Sequence, residues 1–190
     1  MTASKVLLGA LAAVGVVGLL FIAGGKLLGH RTVERPFRMT ETRTGQPFTE
    51  QSLAGQPTAL FFGFTSCPEV CPTALATVGR WLKALGPDAN GLRVLFVSVD
   101  PERDTPELME KYLGGFDPRI GGLWGPRSET DRIEAAFDIV ARRVPSGNSY
   151  AFDHTALVLL FNRQGQHVDS VDFEDPQEKV LGKLRAVMAP

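Results

Sequence analysis

Val6 to Gly25 forms an unbroken apolar run with no charged or strongly polar side chain. At the helical rise its 20 residues span about 30 Å, the thickness of a bilayer's hydrocarbon core. The run is not amphipathic, so it does not read as a surface helix of a globular core. A cleaved signal peptide is the alternative, but the apolar core of such a peptide usually runs about 7–15 residues. Ala23-Gly24-Gly25 is a poor cleavage site, and no cysteine stands near the run to carry a lipid. Residues 1–25 are therefore expected to be an uncleaved transmembrane anchor and residues 26–36 a short tether.

Beyond the tether the pattern changes to short apolar runs separated by turns. Phe37 to Leu53 alternates loosely around Thr44-Gly45 and predicts a hairpin. Thr58 to Phe64 is a continuous apolar run of the kind seen in strands buried on both faces, and Leu92 to Val99 reads as a second buried strand. Between them, Ala74, Leu75, Val78, Trp81, Leu82 and Leu85 line one face of a helix. Pro72 suits its first turn, and Gly86-Pro87 stops it. Asp104-Thr105-Pro106-Glu107 carries helix-start chemistry, with a short helix following to Leu113. A helix over Ser128 to Asp138 and strands over Ile139 to Val144, Thr155 to Phe161 and His167 to Phe173 follow. Asn162 to Gly165 forms a turn, and Gln177 to Met188 closes the chain as a helix. Strands alternating with helices, then a hairpin and a final helix, predict an α/β fold around a central sheet.

Charge changes this picture little. With 20 Lys and Arg against 21 Asp and Glu, the net charge is −1, which argues against a nucleic-acid binder. Lys5 is the single charged residue of 1–25, so without that segment the net charge becomes −2. Lys26, Arg31, Arg35 and Arg38 follow the apolar run, and by the positive-inside rule they favour a cytoplasmic C-terminal part. Long domains cross membranes largely regardless of such charges, so the local count leaves orientation open.

Candidate chemistry concentrates at the two cysteines of the chain, in Phe64-Thr-Ser-Cys67-Pro-Glu-Val-Cys71-Pro72. They lie between a buried strand and a helix start, where unpaired backbone N–H groups stabilise thiolates and lower thiol pKa. Thiolate is both the nucleophilic and the metal-binding form. A structural disulfide or two inert buried thiols are the alternatives, although a disulfide here would close only a very short loop. Of the three histidines, His30 lies in the tether, and His167 starts a strand and is expected at the surface. His154 stands just before the strand over Thr155–Phe161. Two cysteines and one histidine are too few for a closed zinc site, whereas two thiolates and an imidazole suit copper, Cu(I) in particular.

Three segments together resemble the signatures of the Sco/SenC family of copper proteins: Phe62-Gly-Phe-Thr-Ser-Cys67-Pro-Glu-Val-Cys71-Pro72, Val99-Asp-Pro-Glu-Arg-Asp-Thr-Pro106 and Phe152-Asp-His154-Thr155. The resemblance runs from about Phe37 to Met188. It implies a thioredoxin-like domain over 37–190, a central mixed sheet flanked by helices, and copper held as Cu(I), or as Cu(II), by Cys67, Cys71 and His154. It also implies a role in assembling the copper centre of cytochrome c oxidase. The partners would be the oxidase's copper-bearing subunit and other copper chaperones or thiol reductants. The domain would face the periplasm from a single-pass inner-membrane anchor, or occupy the mitochondrial intermembrane space. Ser66 and Glu69 stand where the family often has histidine and aspartate, which shifts copper affinity or partner choice. His154-Thr155 takes the region of the thioredoxin cis-proline.

A thiol–disulfide oxidoreductase is the competing function, with Cys67 attacking and Cys71 resolving as a redox-active pair. A peroxidase fits poorly, because Phe64 and Pro68 stand where a peroxiredoxin-like site needs threonine. Asp100 and Asp153 are candidates for hydrogen bonds that support the copper loop and His154. Thr105 and Pro106 are read as helix-start residues and Trp81 as core. Trp124 has no assigned role. Glu110/Lys111 and Arg142/Arg143 read as solvated faces.

Overall fold

The computed structural model describes residues 36–189. The expected anchor (1–25), the tether up to residue 35, and residue 190 lie outside the described residues. Among the described residues no helix is long and apolar enough to cross a membrane.

The two apolar runs become the centre of one sheet. β3 (Thr58–Gly63) pairs in parallel with β4 (Arg93–Ser98), Leu60 opposite Leu95 and Phe62 opposite Val97. β5 (Ile120–Trp124) extends the parallel set beyond β4. The N-terminal hairpin, β1 (Arg38–Glu41) and β2 (Pro47–Thr49), pairs antiparallel with β5 through β1. On the other side of β3, β8 (Leu157–Phe161) and β9 (His167–Asp172) pair antiparallel. The seven-stranded order is β2-β1-β5-β4-β3-β8-β9, the mixed sheet expected.

Alternation along these strands builds two cores. Ala59, Phe61, Val94, Phe96, Val158 and Leu160 belong to one. It is covered by α1 (Val70–Leu85), α2 (Pro106–Leu113) and α4 (Gln177–Met188) through Leu75, Leu82, Met109, Leu113, Val180 and Leu184. Leu60, Phe62, Leu95, Val97, Leu159 and Phe161 belong to the other, with Phe37, Met39, Phe48 and Leu53 and with Ile133 of α3 (Arg127–Ala136). Each fully buried Leu or Phe is worth about 1.5–3 kcal/mol in transfer from water, so register is pinned on both faces. Trp81 stacks on Phe173 with ring centroids 5.5 Å apart, the core role expected of it. Gly86, at φ 61°, ends α1 where the sequence predicts the stop.

Several boundaries differ from expectation. β6 (Ala141–Ser146) starts two residues later than the predicted Ile139, and β8 starts at Leu157, not Thr155. α3 ends at Ala136 because Phe137 leaves the helical region and Asp138 takes φ 54°. Two strands were missed. β5 contains Gly121-Gly122, which breaks any apolar pattern, yet a Cβ on Gly122 would lie 2.5 Å from Thr42 Oγ1, so the glycine admits Thr42, the residue just after β1. β7 (Ser149–His154) pairs only with β6, as a hairpin outside the main sheet.

Candidate metal centre

Gly63 ends β3, and the buried Phe64 starts the turn toward α1. Thr65 is held from a distance in sequence. Its N–H points at both carboxylate oxygens of Asp104 at 3.3 Å, and its hydroxyl donates to Oδ1 at 2.5 Å. Ser98 Oγ donates to Asp104 Oδ2 at 2.6 Å, and Trp124 Nε1 donates to the Asp104 carbonyl at 2.7 Å. Burial pushes the Asp104 carboxyl up from its ordinary value, with the Ser98 and Thr65 hydrogen bonds resisting. Asp104 thus fastens the cysteine-bearing turn to β4 and β5. The sequence suggested only helix-start chemistry here, and that belongs to Thr105, whose side chain accepts from the Leu108 N–H.

α1 begins at Val70, so Cys71 lies inside the first helical turn and only Cys67 is in the loop. The Cys71 N–H donates to Cys67 Sγ at 3.3 Å, the helix-start amide the sequence predicted for a thiolate. Cys67 is partly exposed, whereas Cys71 is 3% exposed, and both are free thiols. A Cβ on Gly63 would stand 2.9 Å from Cys71 Sγ, so the sulfur is pressed against the β3 backbone. Burial pushes the Cys71 thiol up to about 12; the Phe64 amide opposes this, and Cys67 adds to it. The expectation that the helix start lowers both thiols fails at Cys71, because desolvation outweighs the amide.

His154 is the last residue of β7 and reaches the same place. Its Nε2 lies 3.9 Å from Cys71 Sγ. Its Nδ1 lies 3.1 Å from the Thr155 carbonyl, which can only accept, so Nδ1 carries a proton and Nε2 faces the sulfur. The Phe64 ring stands edge-on to the imidazole at 6.0 Å. A cavity of about 20 Å³ adjoins the pair, walled by Phe61, Phe62, Phe96 and Phe173. Among the described residues, no three His, Cys, Asp or Glu side chains are gathered closely enough to hold a metal ion. Cys71 and His154 are together, and Cys67 touches them through the Cys71 amide.

Asp153 is exposed and alternates away from His154 along β7; the Thr155 carbonyl takes the partner role proposed for it. Asp100 is fully buried but faces the hairpin, accepting from Tyr150 Oη at 3.0 Å and pairing with Arg103. His167 is exposed and contacts Ser170. Glu110 and Arg143 are not simply solvated: Thr42 Oγ1 donates to Glu110, and Arg143 pairs with Glu102. No cis peptide occurs among the described residues. A surface cavity of about 370 Å³ lies between the β8–β9 turn and α4, at the far end of β8 from His154.

A mixed sheet flanked by helices, with a dithiol at a strand-to-helix turn and an imidazole beside it, is the arrangement of a thioredoxin-like α/β protein. Residues 26–189 match the SCO1/SenC family model, and the chain belongs to that family. It is 33% identical over 155 residues to the mitochondrial protein SCO2 of Saccharomyces cerevisiae, covering 79% of this chain and 51% of that one. It is also 33% identical over 169 residues to the human mitochondrial SCO1 homolog, covering 85% and 54%. The chain spans about half the length of these curated relatives. Among solved structures, Bradyrhizobium japonicum ScoI with copper bound shares 40% identity at a TM-score of 0.73, covering 80% of this chain and 97% of that one. Yeast Sco1 with copper bound shares 31% at 0.71, covering 80% and 85%.

Proposed function

We propose that this protein is a copper metallochaperone in which Cys67, Cys71 and His154 bind one copper ion as cargo. It hands the ion to the copper-bearing subunit of cytochrome c oxidase by ligand exchange. The observation that most supports this is the 3.9 Å approach of Cys71 Sγ to His154 Nε2. That separation is short enough for a single ion to bridge the sulfur and the nitrogen. Cys67, partly exposed on the loop side, closes the third position by a side-chain rotation. Two thiolates and one imidazole suit Cu(I), and a low-coordinate ion leaves an approach for the acceptor's ligands. Copper-bound relatives at 40% and 31% identity support the metal. The apolar run of 1–25 anchors the protein in the inner membrane, with the domain on the periplasmic side or its mitochondrial equivalent.

A second reading is favoured by the inequality of the two thiols. The accessible Cys67 attacks a partner disulfide to give a mixed disulfide. Cys71 then displaces the partner, leaving a Cys67–Cys71 disulfide and a reduced partner dithiol, two electrons transferred in all. Both roles use the same pair.

His154→Ala separates them. The expected result is loss of stoichiometric copper with the thiol-exchange activity and dithiol potential retained; unchanged copper binding would sink the three-ligand site. For the anchor, mass spectrometry of membrane-derived protein should find the N-terminal residues present, and a mature chain starting near Lys26 would refute it.

A further inference from the structure

His154 rides on an element that the main sheet does not hold. β6 and β7 pair only with each other, Ala141 opposite His154 at the base and Ser146 opposite Ser149 at the tip. At the base, the Thr155 N–H donates to the Val140 carbonyl at 2.9 Å, and the Val140 N–H donates to Thr155 Oγ1 at 3.1 Å. The rest of the hairpin is fixed through side chains, and these converge on one residue.

Tyr150 lies between two guanidinium groups, with Arg103 3.8 Å from its ring centroid and Arg143 4.0 Å from it. Its hydroxyl donates to the buried Asp100 Oδ1 at 3.0 Å, and its carbonyl accepts from Arg103 Nη1 at 2.9 Å. Arg103 is itself paired with Asp100, and Arg143 with Glu102 at 2.7 Å. Each cation is therefore tethered to the loop after β4, and the ring is clamped to that loop on both faces and at its tip.

The clamp bears on the imidazole by a continuous path. Tyr150, Phe152 and His154 alternate along β7 and share one face. Tyr150 meets Phe152 at 5.8 Å, Phe152 meets Phe64 at 5.6 Å, and Phe64 meets His154 at 6.0 Å. The cysteine turn and the histidine strand are thus aligned against the same ring, and the clamp keeps β7 pressed there.

We propose that Tyr150, clamped by Arg103 and Arg143, is a positioning residue for His154, holding the hairpin so that Nε2 faces Cys71. The proposal rests on the reading of His154 as a copper ligand. In this role the clamp sets how tightly the third ligand is held, and loosening it frees His154 while the thiolates remain.

The test uses full-length protein and four variants: Tyr150→Leu, Tyr150→Phe, His154→Ala, and Tyr150→Leu combined with His154→Ala. Cu(I) affinity is read by competition with a chromophoric chelator. The His154 imidazole resonances are read by NMR without metal, and thermal unfolding serves as the folding control. Tyr150→Leu should weaken Cu(I) binding about tenfold, the lower end of the loss found when groups orienting a metal ligand are removed. It should also shift the metal-free imidazole resonances. Tyr150→Phe, which keeps the ring between the guanidiniums, should restore most of the affinity. In the His154→Ala background, Tyr150→Leu should change affinity by less than about threefold, because its effect runs through the imidazole. A loss below about threefold in Tyr150→Leu alone, or an equal loss in both backgrounds, overturns the proposal. If His154→Ala itself leaves affinity unchanged, the ligand assignment has failed, and that outcome is read on a separate curve.

Discussion

Gly63 is the position where backbone, core and site meet most closely, and Gly63→Ala tests that contact. An added Cβ would stand 2.5 Å from Phe96 Cε2 and 2.9 Å from Cys71 Sγ. Ordinary carbon contacts lie at about 3.5–4.0 Å, so the methyl intrudes by about 1 Å on each side. Phe96 has little room to retreat: it is 1% exposed, with Phe61 at 5.3 Å and Tyr112 at 6.3 Å. Overpacking of this kind costs about 1–3 kcal/mol. Lower unfolded-state entropy returns about 0.4–1 kcal/mol. The net loss, about 1.3 kcal/mol at the middle of these ranges, corresponds to roughly 3–5 °C in Tm for a domain of this size. Thermal unfolding of the reduced, metal-free protein measures it, and Cu(I) competition reports whether the displaced sulfur has left His154. Phe96→Leu should recover part of the loss in the double variant, because the two positions are in contact. A Tm within about 1 °C of wild type, well below the expected shift, with unchanged copper affinity would refute the close packing.

Three further predictions concern the cysteines and the turn that carries them. In reduced protein near pH 8, iodoacetamide should label the accessible Cys67 well before Cys71, and equal rates by mass spectrometry would contradict the burial asymmetry. The Cys71 thiol is raised from 9.0 to about 12 on folding. The folded state therefore holds its proton longer, and stability present below pH 9 should be lost as pH climbs toward 12, a limb that Cys71→Ser should flatten. Asp104→Ala strands the donors of Thr65 and Ser98 and should cost about 2–4 kcal/mol by denaturant titration, against about 1 kcal/mol for the helix cap in Thr105→Ala. Equal costs would show that Asp104 does not fasten the cysteine turn.

What was legible in the sequence was what local pattern determines. The runs Thr58–Phe64 and Leu92–Val99 are largely apolar, with Thr58, Arg93 and Ser98 the polar positions, because β3 and β4 are covered on both faces, so they read as buried strands without knowledge of their neighbours. The apolar stripe of α1 and the Gly86 stop are equally local. β5 was missed because its identity comes from its neighbours: Gly121-Gly122 has no strand pattern, and its glycines are explained only by Thr42 and Leu95 packed against them. β7 carries a period-2 pattern in Tyr150, Phe152 and His154, a local strand signal outweighed by the two turn residues Gly147 and Asn148 just before it. Asp104 reads from the sequence as helix-start chemistry because its partner Thr65 lies 39 residues away.

The site divides along the same line. Residue types and motif order named Cys67, Cys71 and His154, and folding brings Cys71 and His154 to 3.9 Å. The inequality of the two thiols was not legible, because it turns on a boundary of two residues. With Pro72 opening the helix, both cysteines sit in a loop and share one environment. With the helix starting at Val70, the first turn carries Cys71 under the strand end, against Gly63, and aims its amide at Cys67. Burial opposes charge on the inner sulfur, while the outer one stays partly exposed and accepts the Cys71 amide. With the proposed ligand set, an incoming ion would meet the accessible thiol first and gain the buried one only by displacing its proton. Binding at such a site is coupled to proton release from Cys71, so affinity should rise with pH across the neutral range.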